Sequence, residues 1–433
     1  MKLAPHQELI DVQALRVGMF VHLAGGWMSH PFPLSNFRIA SAEQIATIQS
    51  LGLKQVRWDP KQSDLPEAAA NDDAGNHRPV AVASSPVPEP AAPVLNDEER
   101  AQAERRLKRA EQMASLRQCE RQFSEAAREL KLTTDLVFGK PREAREQAEA
   151  LSGALVSKMI GDQELCVRLL TDAAGDKASM HALNVTIVSL LMGRSFGLPE
   201  AEMKDLGVGA MLHDIGKIEL PERLRHIEER FTTSEVKVYQ EHVAHGLTLA
   251  RKMGISPGAM QVLEQHHEHA DGSGFPGGVT TDRMSAPSRI VALVNRYDNL
   301  CNPNLSARAL TPHEALAQLF AQDRTRIDTS ILGAFIKMMG VYPPGSTVQL
   351  TDDRYAMVVS VNSSRPLKPR VLVHDPKVPR DEALVLDLET APGMGIRRSI
   401  KPLQLPADSL EYLSPRLRVA YFFEPVRDAE TPT

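Results

Sequence analysis

Across 433 residues there is no apolar run approaching the roughly 20 residues that a membrane-spanning helix needs. The start, Met1-Lys2-Leu3-Ala4-Pro5-His6, lacks the charged, apolar and cleavage regions of a secretory signal, so a cytoplasmic protein is expected. Only three cysteines are present, Cys119, Cys166 and Cys301, an odd and scattered set. That excludes a disulfide framework and a cysteine-based zinc site. A basic stripe is missing as well: the formal net charge is -5, which argues against DNA as a partner. What is present, 42% hydrophobic and 24% charged residues, is the composition of a soluble chain long enough for two or more cores.

The chain divides by pattern. Residues 1–59 read as a small α+β domain, with Val17–Val21 and Val56–Trp58 as strands and Gly25-Gly26 as a turn. Ser41 with Gln44 forms a capping-box pattern opening a helix over Ala42–Leu51. Residues 60–95 are rich in Pro, Ala and Ser and too poor in apolar groups for a core, so a disordered linker is expected. Residues 96–150 read as a connecting helical segment, interrupted over Lys131–Pro141 and suited to joining domains or pairing with a second copy. From 151 to 342 the pattern is helical throughout, with helices over Ala182–Met192, Glu200–His213, Glu235–Met253, Pro257–His266 and Ser288–Leu300. Thr311 with Glu314 caps one more. Residues 343–433 change to the period of strands and read as a small β-rich appendage. The fold class expected is mainly α: an all-helical central domain between two small mixed or β-rich pieces.

The helical stretch holds most of the chemistry. His181, His213, Asp214, His242, His266 and His267, with Asn295 or Asp298, stand at ends or inner faces of successive helices. A lone histidine on a half-apolar helix is usually a hydrogen-bonded core or surface residue. The conjunction of a His-Asp pair, a His-His pair and two further histidines in one stretch is not explained that way. Imidazole and carboxylate without thiolate favour Fe or Mn over Zn. Adjacent residues on a helix diverge by about 100°, so His213 and Asp214 converge on metal only if one lies beside an ion and the other bridges two. A bridging carboxylate among histidines is the layout of a two-metal hydrolase.

The run His213-Asp214-Ile215-Gly216-Lys217-Ile218-Glu219-Leu220-Pro221, His242 followed by Gly246, and the run from His266-His267 to Gly274-Phe275-Pro276-Gly277-Gly278 occur in that order. Together they resemble the HD-GYP branch of metal-dependent phosphohydrolases over about residues 170–345. Gly18–Val21, Trp27 and His30–Phe32 resemble a small domain that precedes some members.

The resemblance implies an HD-type catalytic fold that hydrolyses cyclic di-GMP to linear pGpG, GMP or both, in bacterial second-messenger signalling. It implies two divalent ions, one on His181, His213 and Asp214 and a second sharing Asp214 and completed by His242, His266 and His267. Asp214 and Lys217 would be catalytic, with Lys217 contacting a phosphate oxygen, and Gly274, Phe275 and Arg308 would contact substrate. Beside the nucleotide, a second copy of the chain or a signalling protein is the partner implied.

Three departures from the family pattern bear on this. Asn295 stands where most relatives carry an aspartate ligand, and Asp298 lies one turn on. Lys177 stands where some relatives have a glutamate for a third metal. Phe275 replaces the tyrosine of the Gly-Tyr-Pro motif, and Asn302-Pro303 stands where an Arg-Pro-Tyr stretch usually follows, which leaves Arg308 as the replacement phosphate contact. Asn295 is the feature that supports a competing reading, a weakened site that senses cyclic di-GMP and signals to a partner. Hydrolysis of another nucleotide is a third reading, against which the glycine loop counts.

Overall fold

The structure is a computed structural model that describes residues 8–23, 36–51, 53–64, 96–161, 163–172, 174–226 and 231–426. It forms two compact units, residues 1–108 and 109–433.

The first unit is built on an antiparallel sheet in the order β1-β4-β2-β3, with β1 Glu8–Asp11, β2 Phe20–His22, β3 Asn36–Arg38 and β4 Gln55–Asp59. Helix α1, Ala42–Ser50, is capped by Ser41, whose side chain accepts from Gln44 N while Gln44 Oε1 accepts from Ala40 N. Its core gathers Val12, Leu15, Met19, Val21, Ile39, Ile48 and Val56. The strand expected over Val17–Val21 begins only at Phe20, because Gly18 turns the chain at a φ of 96°. The stretch expected to open the linker belongs partly to this unit. Asp59 caps the turn Pro60–Gln62, and Ser63 Oγ accepts from Phe20 N and Trp58 Nε1. The rest of the expected linker, residues 65–95, lies outside the described residues, as do Gly25, Gly26, Trp27, His30, Pro31 and Phe32.

Helix α2, Asp97–Leu136, continues through Lys131, and the break falls at 137–140, which holds Gly139 and precedes Pro141. Pro141 opens α3, Pro141–Met159, and a proline disfavours helical backbone at the residue before it, so Lys140 stands at φ -141°, ψ 62°. After α3 comes β5, Leu165–Leu169, a strand inside the stretch expected to be wholly helical. The helices α4 Lys177–Ser195, α5 Glu200–Leu212, α6 Thr233–Gln240, α7 His242–Met253, α8 Pro257–Gln265 and α9 Ala286–Cys301 follow. Where one helix was expected over Glu235–Met253, two stand, meeting at Glu241. Then come α10 Pro312–Ala321, with Thr311 and Glu314 in a full capping box, and α11 Thr329–Met339.

The last part adds β6 Thr347–Leu350, β7 Tyr355–Asn362, β8 Arg370–Val373, β9 Val385–Asp387, β10 Ile396–Ser399, α12 Ala407–Leu413 and β11 Tyr421–Pro425. These strands do not stand apart from the helices. They form a seven-stranded antiparallel sheet, in which β5 pairs with β7 on one side and β11 on the other. The buried pair Arg168–Glu424, 3.0 Å, spans β5 and β11. The last strand is thereby brought to α4 and α9, beside the site.

Candidate metal centre

Asp176 caps α4 by accepting from Ala178 N and Ser179 N, which places His181 in the second turn of that helix. His213 ends α5, and Asp214 leaves the helix at φ -98°, ψ 8°. His242 opens α7, and His266 and His267 follow the last residue of α8. The chain thus stops being helical where the paired residues stand, and this lets neighbours converge.

Carbonyls near these helix ends set the tautomers. His213 Nδ1 donates to Ala210 O at 2.7 Å, His242 Nδ1 to Tyr239 O at 2.6 Å, and His266 Nδ1 to Leu263 O at 2.8 Å. With Nδ1 as donor, each Nε2 presents its lone pair to the site. His181 Nδ1 donates to Asp298 Oδ2 at 2.6 Å, so its Nε2 also faces inward, 3.2 Å from His213 Nε2.

Asp214 divides the rings between its two oxygens. Oδ2 lies 3.5 Å from His181 Nε2 and 3.4 Å from His213 Nε2. Oδ1 lies 3.5 Å from His242 Nε2 and 3.7 Å from His266 Nε2. Two donor sets result, His181–His213–Asp214 and Asp214–His242–His266–His267, each with its ligand atoms within 4.8 Å of one another.

The electrostatics ask for positive charge. Burial opposes charge on Asp214, but Lys217 and His213 outweigh it and hold the carboxyl well below its usual range. Burial likewise opposes charge on His181, yet Asp214 and Asp298 raise that ring to about 9. Burial pushes His242 down to about 3, with His266 and Lys217 adding to the effect. His267 is held well below its usual value by burial and then by His266 and His242. Asp214 Oδ1 and His267 Nε2 are buried without a hydrogen-bond partner among the described residues. Inward imidazole lone pairs, a shared carboxylate and two orphaned buried atoms fit divalent cations, which supply what buried polar atoms otherwise need. These residues could hold two ions.

Other expected residues fall in several places. Lys217 Nζ lies 2.6 Å from Asp214 Oδ2 and over the Tyr239 ring, so it is tied to the shared carboxylate. Phe275 stacks on His267 at 4.5 Å. A Cβ on Gly274 would meet His269 N at 2.4 Å and His267 O at 2.5 Å, so close backbone packing alone requires that glycine. Asn295 is buried on α9, and its Oδ1 accepts from Asn299 Nδ2 at 2.7 Å. Asp298 accepts from His181 Nδ1, the ring nitrogen opposite the one that faces Asp214. Arg308 is exposed and is not among the residues that line the cavity around the site, whereas Arg418 is. The chain between α9 and α10 turns at Ser306–Arg308.

That cavity measures about 990 Å³ and is lined by His181, Asp214, Lys217, Phe275, Arg289 and Arg418 among others. Sequence reasoning missed Glu268, which accepts from Gly277 N at 2.6 Å and Val279 N at 3.0 Å and so pins the glycine loop. It missed Tyr239, whose ring packs on His242 at 4.9 Å. Glu268 lies inside the quoted His-His run, where two amides of the glycine loop give a carboxylate its reason; Tyr239, three residues before His242, carries no comparable signal.

The helical domain gathers five imidazoles around one shared carboxylate beside this cavity, the donor set of a metal-dependent hydrolase. The HD domain family model matches residues 157–331, and the model of a domain of unknown function, DUF3391, matches residues 8–148. The chain is 26% identical to cyclic di-GMP phosphodiesterase PA4108 of Pseudomonas aeruginosa over 84% of both chains. It is 32% identical to the cyclic di-GMP phosphodiesterase response regulator RpfG of Xanthomonas campestris pv. campestris, over 35% of this chain and 40% of that one. It is 26% identical to 3'3'-cGAMP-specific phosphodiesterase 3 of Vibrio cholerae, over 40% of this chain and 38% of that one. Residues 157–331 carry an HD domain, and the chain is a hydrolase related to proteins named cyclic di-GMP phosphodiesterases. No helix among the described residues is long and apolar enough to cross a membrane.

Proposed function

We propose that the chain is a cytoplasmic phosphodiesterase that hydrolyses cyclic di-GMP to linear pGpG, and onward to GMP, at a dinuclear centre in bacterial second-messenger signalling. The observation that carries this reading is the division of Asp214, Oδ2 toward His181 and His213 and Oδ1 toward His242 and His266. His181, His213 and Asp214 hold one ion; Asp214, His242, His266 and His267 hold the other. Fe or Mn suits this imidazole and carboxylate set, which has no thiolate. Two such ions activate water at neutral pH and neutralise phosphate charge during in-line displacement. Lys217 keeps Asp214 ionised and oriented, and adds a cation to the cavity wall near the phosphate. Phe275, stacked on His267, fixes that ring and presents its remaining edge to the ligand.

The substrate rests on the relatives. PA4108, which aligns over 84% of both chains, is named for cyclic di-GMP, whereas the 3'3'-cGAMP-specific relative matches less than half of either chain. The test is an assay of protein expressed with iron and manganese against cyclic di-GMP and 3'3'-cGAMP, with metal counted on the same sample. About two metals per chain and faster turnover of cyclic di-GMP are expected, with His213→Ala and Asp214→Ala each abolishing turnover. Unchanged activity in either variant removes the mechanism. Asn295 favours a second reading, a sensor, and binding without turnover in a metal-loaded sample would establish it.

A further inference from the structure

The last strand reaches the centre through a chain of hydrogen bonds. Val419, two residues before β11, is buried, and its carbonyl accepts from Asn184 Nδ2 on α4 and Asn302 Nδ2 after α9, both at 2.9 Å. Val419 N donates to Asn302 Oδ1 at 2.9 Å, and Tyr421 N donates to Asn184 Oδ1 at 3.0 Å. The same two carboxamides donate to Asp298 Oδ1, Asn184 at 3.0 Å and Asn302 at 2.8 Å. Each amide therefore uses both donor hydrogens and its oxygen. Asp298 Oδ2 then accepts from His181 Nδ1 at 2.6 Å. Backbone, carboxamides, carboxylate and imidazole stand in series, ending at the Nε2 that faces Asp214. Arg418, beside Val419, lines the cavity, with Nη2 3.4 Å from Pro303 O.

We propose that the segment Arg418–Tyr421 is a working part of the centre. Val419, through Asn184 and Asn302, holds Asp298 in the one orientation that fixes the His181 ring, so both asparagines are positioning residues. Arg418, which lines the cavity, supplies a guanidinium to a phosphate of the cyclic dinucleotide. A partner behind a metal-ligating histidine sets its tautomer and basicity, and its loss typically costs about 10–100-fold in metal affinity. A fully satisfied buried network is also a unit, so removing one amide loosens the rest.

This inference rests on the dinuclear reading, and the experiment separates the two. Full-length protein is loaded with manganese, dialysed against graded chelator, and examined by metal analysis and electron paramagnetic resonance. The unaltered protein is expected to hold two ions with the spectrum of a coupled pair. Asn302→Ala should bind the ion on the His181 side about 10–100-fold more weakly and give the spectrum of a lone ion. Asn302→Ser, which keeps one short donor, should fall between and serves if the alanine variant does not fold. Arg418→Ala should keep both ions and the coupled spectrum while raising KM for cyclic di-GMP about tenfold or more at nearly unchanged kcat. Unaltered metal affinity in both Asn302 variants overturns the clamp, and an unchanged KM in Arg418→Ala overturns the phosphate contact. Absence of manganese from the unaltered protein removes the dinuclear reading and the clamp with it.

Discussion

Asn295 is the residue on which the strength of the centre turns. It is buried on the α9 face that lines the cavity, and its amide oxygen accepts from Asn299. A carboxylate there would bring charge that an amide lacks. Asn295→Asp is therefore expected to raise manganese retention against a chelator about tenfold, because a charged ligand binds a hard cation more tightly than a neutral one. Equal retention in a chelator titration would show that this position does not touch the ions. His213, Asp214, His266 and His267 were legible in sequence because they stand in two short runs, whereas His181 and His242 stand alone and were joined to them by the family resemblance. Lys217 was legible as a residue but not in its contact: one turn of 3-10 helix folds its Nζ onto Asp214 Oδ2. The surroundings of Arg308 were not legible, since it ends the turn Ser306–Arg308 and a side chain in a loop takes its direction from the turn around it.

At the scale of elements, the turn Ile215–Glu219 lies backbone to backbone against the start of α7. A Cβ added to Gly216 would sit 1.9 Å from His242 O and 2.4 Å from Gly246 N. Backbone cannot step aside as a flexible side chain can. Gly216→Ala should cost about 3 kcal/mol or more and lower the melting temperature by at least about 5 °C. Gly246→Ala, whose methyl would meet Gly216 N at 3.4 Å, should cost less. Scanning calorimetry decides, and an unaltered melt for Gly216→Ala would contradict this packing. Helix α3 carries a different sensitivity. Burial lowers the Lys158 ammonium from 10.5 to about 8. Between those values the unfolded chain binds more protons than the folded one, so stability rises with pH across that window. Below about 8 the penalty is fully present, on the order of 3 kcal/mol. Lys158→Met should lose that rise, as read from the difference in melting temperature between the two proteins from pH 8 to 10.5; parallel curves would exclude it. Caps such as Ser41, Thr311 and Glu314 were legible because each acts within three residues. Strand β5 was not, because all five of its residues are buried and show no alternation.

At the scale of the whole molecule, the metal donors all lie in the unit 109–433. An ion that binds only the folded state stabilises by about 2.7 kcal/mol at a concentration 100 times its dissociation constant. Manganese should therefore raise the melting transition of that unit and a chelator lower it, with the transition of the unit 1–108 unmoved. Calorimetry with and without chelator checks this, and an unmoved transition for 109–433 would count against ions at Asp214. The sequence by itself determined what acts within a few residues: the mainly helical class, the helix caps, the strand period of residues 343–433 and the order of the His-Asp and His-His runs. Only the tertiary structure decided the rest. It joined β5 to β11 across about half of the chain, divided the two oxygens of Asp214 between two sets of rings, and brought Val419 to Asn184 and Asn302. Periodicity and capping are local energies, readable along the chain. The pairing of buried polar groups far apart in sequence is set by which surfaces the whole chain hides together, and no window of the sequence contains both partners.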